Sequence, residues 1–292
     1  MYHSKNINIH HARIHGLQNG LMVPNDDGID VNGCERVHIS DMDIQTGDDC
    51  IALFAGSNIT ITNSTLRSKS AGIRLGYYRA ALRDVVVSNL VIDDSNRGIN
   101  VNVRGGNTIE NVLFSNIVIR MRLFTGQWWG KAEPINVSAL VSPRSEGAAG
   151  FIRGLHFRDI RIEGEAGILV YAERPGMIDG LEFDGVHQRM RKGRLQTTYG
   201  GNFDLRGDTR PGLAIFQHDI PAFFAHGVKG LALRDYALEW DEALPEFYTH
   251  GVHVEDSRGV EIRNFQGAAA RAGVNGLQLD RCEDVRSDWK KP

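Results

Sequence analysis

Two short stretches hold the residues best suited to chemistry. Asn25-Asp26-Asp27-Gly28-Ile29-Asp30 carries three carboxylates, and Gly47-Asp48-Asp49-Cys50-Ile51-Ala52-Leu53 carries two more. Asp27 and Asp48 are 21 residues apart. If a backbone repeat sets the two stretches side by side, like charges repel and at least one pKa rises. A carboxyl that keeps its proton beside one that has lost it is the pair that acid/base cleavage of a glycosidic bond needs. Asp-rich turns are also ordinary solvated features, so the elements that position these side chains decide between the two readings.

Those elements form a repeat. One phrase recurs: an alternating apolar strand, an Asn or Asp, then a second short apolar strand. The first apolar residues of its copies are Ile7, Val37, Ile59, Val85, Val112, Leu155, Leu181, Leu231 and Val260, and a weaker copy falls at 284–289. Most spacings lie between 22 and 30 residues. β-branched residues at alternate positions suit half-buried strands, and Asn or Asp between them suits a sharp turn that tolerates left-handed backbone. Two strands and a turn per coil describe a parallel β-helix, an all-β single domain over 1–292 with about nine to ten coils stacked about 4.8 Å apart. A β-propeller has a longer period, and leucine-rich repeats need a consensus that is missing here. One coil separates Asp27 from Asp48, so the repeat predicts that the two acidic stretches meet. The two long spacings predict loop insertions near 123–150 and 188–227.

Composition narrows the function classes. The 292 residues carry 33 Lys+Arg against 36 Asp+Glu, a net charge of −3, which argues against a nucleic-acid partner or an anionic membrane surface. No apolar run is long enough to span a bilayer as a helix. Cys34, Cys50 and Cys282 are too few and too scattered for a disulfide framework. The 11 His form no metal signature, and His10-His11, His218 and His250 read as surface or packed histidines. Asn58-Ile59-Thr60 and Asn63-Ser64-Thr65 match glycosylation sequons. No metal and no organic cofactor is expected.

With the motifs in place, the sequence resembles glycoside hydrolase family 28, the polygalacturonase and rhamnogalacturonase family of right-handed parallel β-helices. The family pattern Asn-Thr-Asp-Gly, followed about 20 residues on by Gly-Asp-Asp, is met here by Asn25-Asp26-Asp27-Gly28 and Gly47-Asp48-Asp49. The resemblance implies Asp48 as general acid, Asp27 and Asp49 as the carboxylates that hold the attacking water, Asn25 as an orienting residue, and inversion at the anomeric carbon. Two family motifs differ. Ala71, in Ser70-Ala71-Gly72, stands where galacturonan-cleaving members have His. Asn100 and Asn102 stand where an Arg and a Lys grip the substrate carboxylate. Fixed positive charge suits a uronate, so either these two Asn read a neutral or differently charged sugar, or Arg74, Arg97 or Arg104 supplies the charge, or the hydrolytic machinery is partly lost. Arg74 is the best substitute, one coil after the acids. Trp128-Trp129, beside Lys131 and Glu133 in the first insertion, offer an aromatic wall for a sugar ring.

The expected activity is hydrolysis of a pectin-like poly- or oligosaccharide of galacturonan or rhamnogalacturonan type. A polysaccharide lyase and a non-catalytic carbohydrate-binding β-helix or adhesin are the competitors. The resemblance implies a secreted or periplasmic protein, although MYHSKNINIHH has neither the apolar core nor the cleavage site of a signal peptide. Family relatives have several coils before the first catalytic Asp and this chain has about one. A second copy of the chain covering the N-terminal coil is therefore the expectation, with a shortened form of a longer protein as the alternative.

Overall fold

The computed structural model describes residues 1–16, 23–77, 80–125, 130–141, 149–205 and 215–290. They form one 19-stranded parallel sheet system, a separate two-stranded antiparallel hairpin and a single four-residue helix, Gln196–Tyr199. The architecture is a right-handed parallel β-helix. No helix among the described residues is long and apolar enough to cross a membrane.

The recurring phrase is the unit of the stack. Ile7, Val37, Ile59, Val85, Val112, Leu155, Leu181, Leu231 and Val260 pair with one another in register from coil to coil. Each points inward, and all but Ile7 are buried. The Asn or Asp of the phrase is a bend. Asp41, Asn63, Asn89, Asn116, Asp159 and Asp235 all have left-handed φ, between 49° and 56°. A second left-handed row, Arg36, Asn58, Asp84 and Asn111, precedes the strand in each coil. Short polar side chains tolerate this conformation because they bond locally. The outer amides also bond between coils: Asn116 Nδ2 donates to Asn89 Oδ1 at 2.8 Å, and Asn89 Nδ2 donates to Asn63 Oδ1 at 3.3 Å. Inside, Phe114, Phe157 and Phe183 stack at centroid distances of 4.9 and 4.7 Å, which adds dispersion to the burial of three large rings.

A second face of the helix carries the site. Its register runs Ile29, Ile51, Ile73, Ile99, Ile135 and continues through Ile168, Phe223, Val252 and Leu277. These residues point inward, and their neighbours at alternate positions point out. The stretch 123–150 contains one of these strands, Ile135–Leu140. The stretch 188–227 contains another, Phe223–His226, together with the hairpin Asn202–Asp204 and Ile215–Gln217.

That hairpin lies over the site face. Phe203 is fully buried and its ring stands 6.1 Å from Phe224, which projects outward from its strand. Beneath the hairpin run buried polar groups. Arg97 Nε donates to Glu133 Oε2 at 2.9 Å, and Arg97 Nη2 donates to the carbonyl of Asp204. The Asp204 amide donates to Glu133 Oε1 at 2.6 Å, and the Gly130 amide donates to Asp204 Oδ2 at 2.6 Å. Arg104 donates to Ser138 Oγ at 2.9 Å and to the carbonyl of Leu205. A buried ion pair is tolerable only when most of its remaining donors and acceptors are satisfied. This network does so for Glu133 and for Arg97 Nε and Nη2, leaving Arg97 Nη1 without a partner among the described residues, while it fastens the hairpin.

Candidate active site

The site is built where the coils of residues 23–30, 46–54 and 70–77 stack. Register pairs Ile29 with Ile51 and Ile51 with Ile73. The residues two places earlier, Asp27, Asp49 and Ala71, therefore share one column. Asp27 thus stacks against Asp49, with Asp48 one residue ahead of that column. Gly28 makes the close approach possible: a Cβ there would lie 2.6 Å from the carbonyl of Cys50. One oxygen each from Asp27, Asp48 and Asp49 lies within 4.8 Å of the others.

Each carboxylate has different surroundings. Asp49 is almost fully buried. It accepts from Ser70 Oγ at 2.8 Å, from the Ala71 amide at 3.0 Å and from Arg74 Nε. Asp48 Oδ2 accepts from the Asn25 amide at 2.9 Å, so Asn25 meets the site through its backbone, held at φ 59°. Asp27 is the least supported: its Oδ1 has no hydrogen-bond partner among the described residues, and Arg74 Nη2 is 3.9 Å away. Burial first, then the charges of Asp48, Asp49 and Asp30, raise the Asp27 pKa to about 7 against the opposing pull of Arg74. Burial and Asp49 also raise Asp48, opposed by the Asn25 amide, Ser70 and Arg74. Asp26 stands apart from the trio, and its Oδ2 accepts from the Gly47 amide at 2.7 Å and ties the two acidic turns together.

The cleft around the trio has a volume of about 350 Å³ and is lined by Asn25, Asp27, Asp30, Asp48, Asp49, Phe54, Ser70, Arg74, Tyr77, Asn100 and Asn102. Arg74 lies over the Phe54 ring, 4.4 Å from its centroid, and 5.5 Å from that of Tyr77. Burial weakens its guanidinium, but Asp49, Asp27 and Asp30 outweigh burial and raise its pKa. Asn100 and Asn102 sit at the downstream end of the cleft. Asn136 Nδ2 donates to Asn100 Oδ1 at 2.7 Å, while Asn102 Oδ1 accepts from Ser138 Oγ at 3.0 Å and Arg104 Nη2 at 3.1 Å.

Of the residues expected from sequence, Asn25, Asp27, Asp48, Asp49, Arg74, Asn100 and Asn102 line this cleft together. Arg97 and Arg104 do not line it. They are buried behind its end wall, and burial with the neighbouring Arg97 charge lowers Arg104 to about 9. Trp128 and Trp129 lie outside the described residues. Asp30, Phe54, Ser70 and Tyr77 join the lining without having been singled out as site residues. Asp30 was legible as the outward position three residues after Asp27. The two aromatic rings carry no motif.

A parallel β-helix with three converging carboxylates in a cleft is the class of molecule that fold and site define. Residues 1–122, which contain both acidic motifs, match the family model for Glycosyl hydrolases family 28. The chain is similar to a polygalacturonase of Persea americana, 31% identical over 103 residues, covering 33% of this chain and 22% of the relative. It is also similar to Polygalacturonase-2 of Solanum lycopersicum, 37% identical over 73 residues, covering 25% of this chain and 16% of the relative. The matches thus span less than a quarter of the length of these two relatives. Among solved structures, a family 28 exopolygalacturonase of Yersinia enterocolitica aligns with a TM-score of 0.50 at 14% identity, over 91% of this chain and 39% of that one. That likeness supports the fold. The resemblance to family 28 read from Asn25–Gly28 and Gly47–Asp49 therefore holds.

Proposed function

We propose that this protein is a glycoside hydrolase that cleaves a pectin-like poly- or oligosaccharide, of galacturonan or rhamnogalacturonan type, by acid/base catalysis with inversion. The observation that carries the reading is the convergence of Asp27, Asp48 and Asp49 in one cleft, where burial and mutual repulsion raise the proposed acid Asp48 as well as Asp27. Hydrolysis needs a proton for the leaving oxygen and a base for the attacking water. In this reading Asp48 gives the proton, and Asp27 and Asp49 hold the water. Asp49 suits the ionised role, because Arg74, Ser70 and the Ala71 amide all donate to it.

The carboxylates are closer than the roughly 6.5–9.5 Å usual in inverting glycosidases. A third carboxylate changes that constraint, since the water need only lie on the side of the sugar opposite the acid. NMR of the first-formed anomer checks it, and retained configuration would remove the inverting mechanism. A lyase reading finds less support: elimination wants a base near the substrate carboxylate, and Arg74 is held protonated by Asp49 and Asp27. The test of the whole reading is reducing-end release from homogalacturonan, rhamnogalacturonan and neutral side-chain oligosaccharides. We expect release by the wild type and its loss in Asp48→Asn. No release from any of them moves the reading to a binding β-helix.

A further inference from the structure

The cleft holds four carboxylates, those of Asp27, Asp30, Asp48 and Asp49, and among the described lining residues Arg74 is the lone cation. Arg74 is already committed, bonded to Asp49 and within 3.9 Å of Asp27. The positions facing the cleft from the next coil, Asn100 and Asn102, are neutral. Their carbonyl oxygens are taken by Asn136, Ser138 and Arg104, which leaves the amide nitrogens as the groups that can donate. Two buried carboxylate oxygens, Asp27 Oδ1 and Asp30 Oδ1, have no partner among the described residues. Out of contact with solvent and unpaired, they make further negative charge beside them costly. A sugar hydroxyl donates, whereas a free uronate carboxylate only accepts.

We propose that the glycosyl residue seated in this cleft is uncharged, either a neutral sugar or a uronate blocked as its ester. This rests on the hydrolase reading for its chemistry, though not for its binding preference. A free uronate meets net negative charge here and no uncommitted cation among the described residues. Its desolvation is uncompensated, and its repulsion by the trio is strongest in the low-dielectric floor of the cleft. A neutral ring can donate hydroxyl hydrogen bonds to the cleft-facing carboxylate oxygens and accept them from the Asn100 and Asn102 amides.

The experiment compares three ligand sets of equal length: free galacturonate oligomers, their methyl esters, and oligosaccharides with a neutral sugar at the cleaved unit. kcat/KM should favour one or both uncharged sets by at least about tenfold, and which set wins identifies the source of neutrality. Raising salt should lower KM for the free uronate, because salt screens repulsion. Asn100→Lys should narrow the preference. Equal or better turnover of the free uronate, with KM rising with salt, overturns the proposal and leaves the hydrolase reading standing. If nothing is cleaved, calorimetry with the same ligands on wild type and Asp48→Asn decides. Tighter binding of an uncharged set upholds the preference without the hydrolase, while tighter binding of the uronate, or no binding at all, overturns it.

Discussion

Asp27 is the carboxyl with the weakest support in the trio, and its pKa is the one raised to about 7. A group this close to neutrality holds a proton over the range in which a base must not, so its assignment as water-holder is the sharpest question at the residue scale. Three carboxylates this close titrate as one system, and the proton belongs to the set rather than to one member. An aryl glycoside with a good leaving group separates the roles, because it needs no acid. We expect Asp48→Asn to lose about 10²–10⁴-fold on a natural substrate and to recover most of it on the aryl glycoside. Asp27→Asn should lose both. The reverse pattern would make Asp27 the acid. Stability gives an independent reading. A raised carboxyl contributes stability that is present below its unfolded pKa and lost as pH climbs through its folded value, here from 3.8 to about 7. Thermal unfolding of Asp27→Asn should therefore match wild type near the low end of that window. Above pH 7.5 the variant should be the more stable, by on the order of 1–2 kcal/mol after allowance for solvent screening. The motif spacing was enough to find these acids. It was not enough to show that Asp27 stacks on Asp49, or that Arg74 locks onto Asp49, because both depend on the exact pairing of the coils, in which Ile29 meets Ile51 and Ile51 meets Ile73.

At the scale of the coil, the phrase was legible because its two constraints are local: apolar residues alternate inward, and the bend between strands takes left-handed backbone. Asn116, at φ 54°, fills both needs of the bend by adopting that conformation and by bonding Asn89 of the preceding coil. Asn116→Gly should lose little beyond the outer hydrogen bond. Asn116→Val forces a β-branched residue into the same backbone and should cost about 1–3 kcal/mol, seen as a lower midpoint in urea with an unchanged slope. An unchanged midpoint would show that the bend relaxes. The strands of the site face were hard to read for the opposite reason. Arg97–Arg104 and Ile135–Leu140 are buried at every position. Their inward residues meet the core, Asn100 and Asn102 close the end of the cleft, and Arg97 and Arg104 bond the hairpin strand, so polar and apolar positions no longer mark inside and outside. Periodicity fails wherever a second layer covers a sheet, and that cover came from residues about 100 positions further along the chain.

The same cover sets what the whole molecule can admit. Upstream, the cleft opens around Asp27, Asp30 and Asp48. Downstream it stops at Asn100 and Asn102, because the next outward pair, Asn136 and Ser138, is fully buried. Beyond that pair Phe203 packs toward Phe224, and Asp204 is held by Arg97 and Glu133. On the hydrolase reading, we propose that a polysaccharide lying along the stack ends near the Asn pair, where the described residues close the cleft. Attack would then fall near chain ends rather than at random internal bonds. We expect reducing ends to accumulate steadily while the viscosity of a long substrate falls slowly, with short products from the first minutes. A steep early fall in viscosity at low bond cleavage would mean that the chain turns out of the cleft, or that the hairpin fastened over the buried Arg97–Glu133 pair lifts. Arg97→Met addresses the cause: it strands Glu133 without its partner, which should destabilise the protein by about 3–5 kcal/mol. If the hairpin loosens before the coils do, the surviving activity should shift toward internal cleavage. A variant that loses stability but keeps the chain-end pattern would show instead that Phe203 and its aromatic neighbours hold the wall without the ion pair.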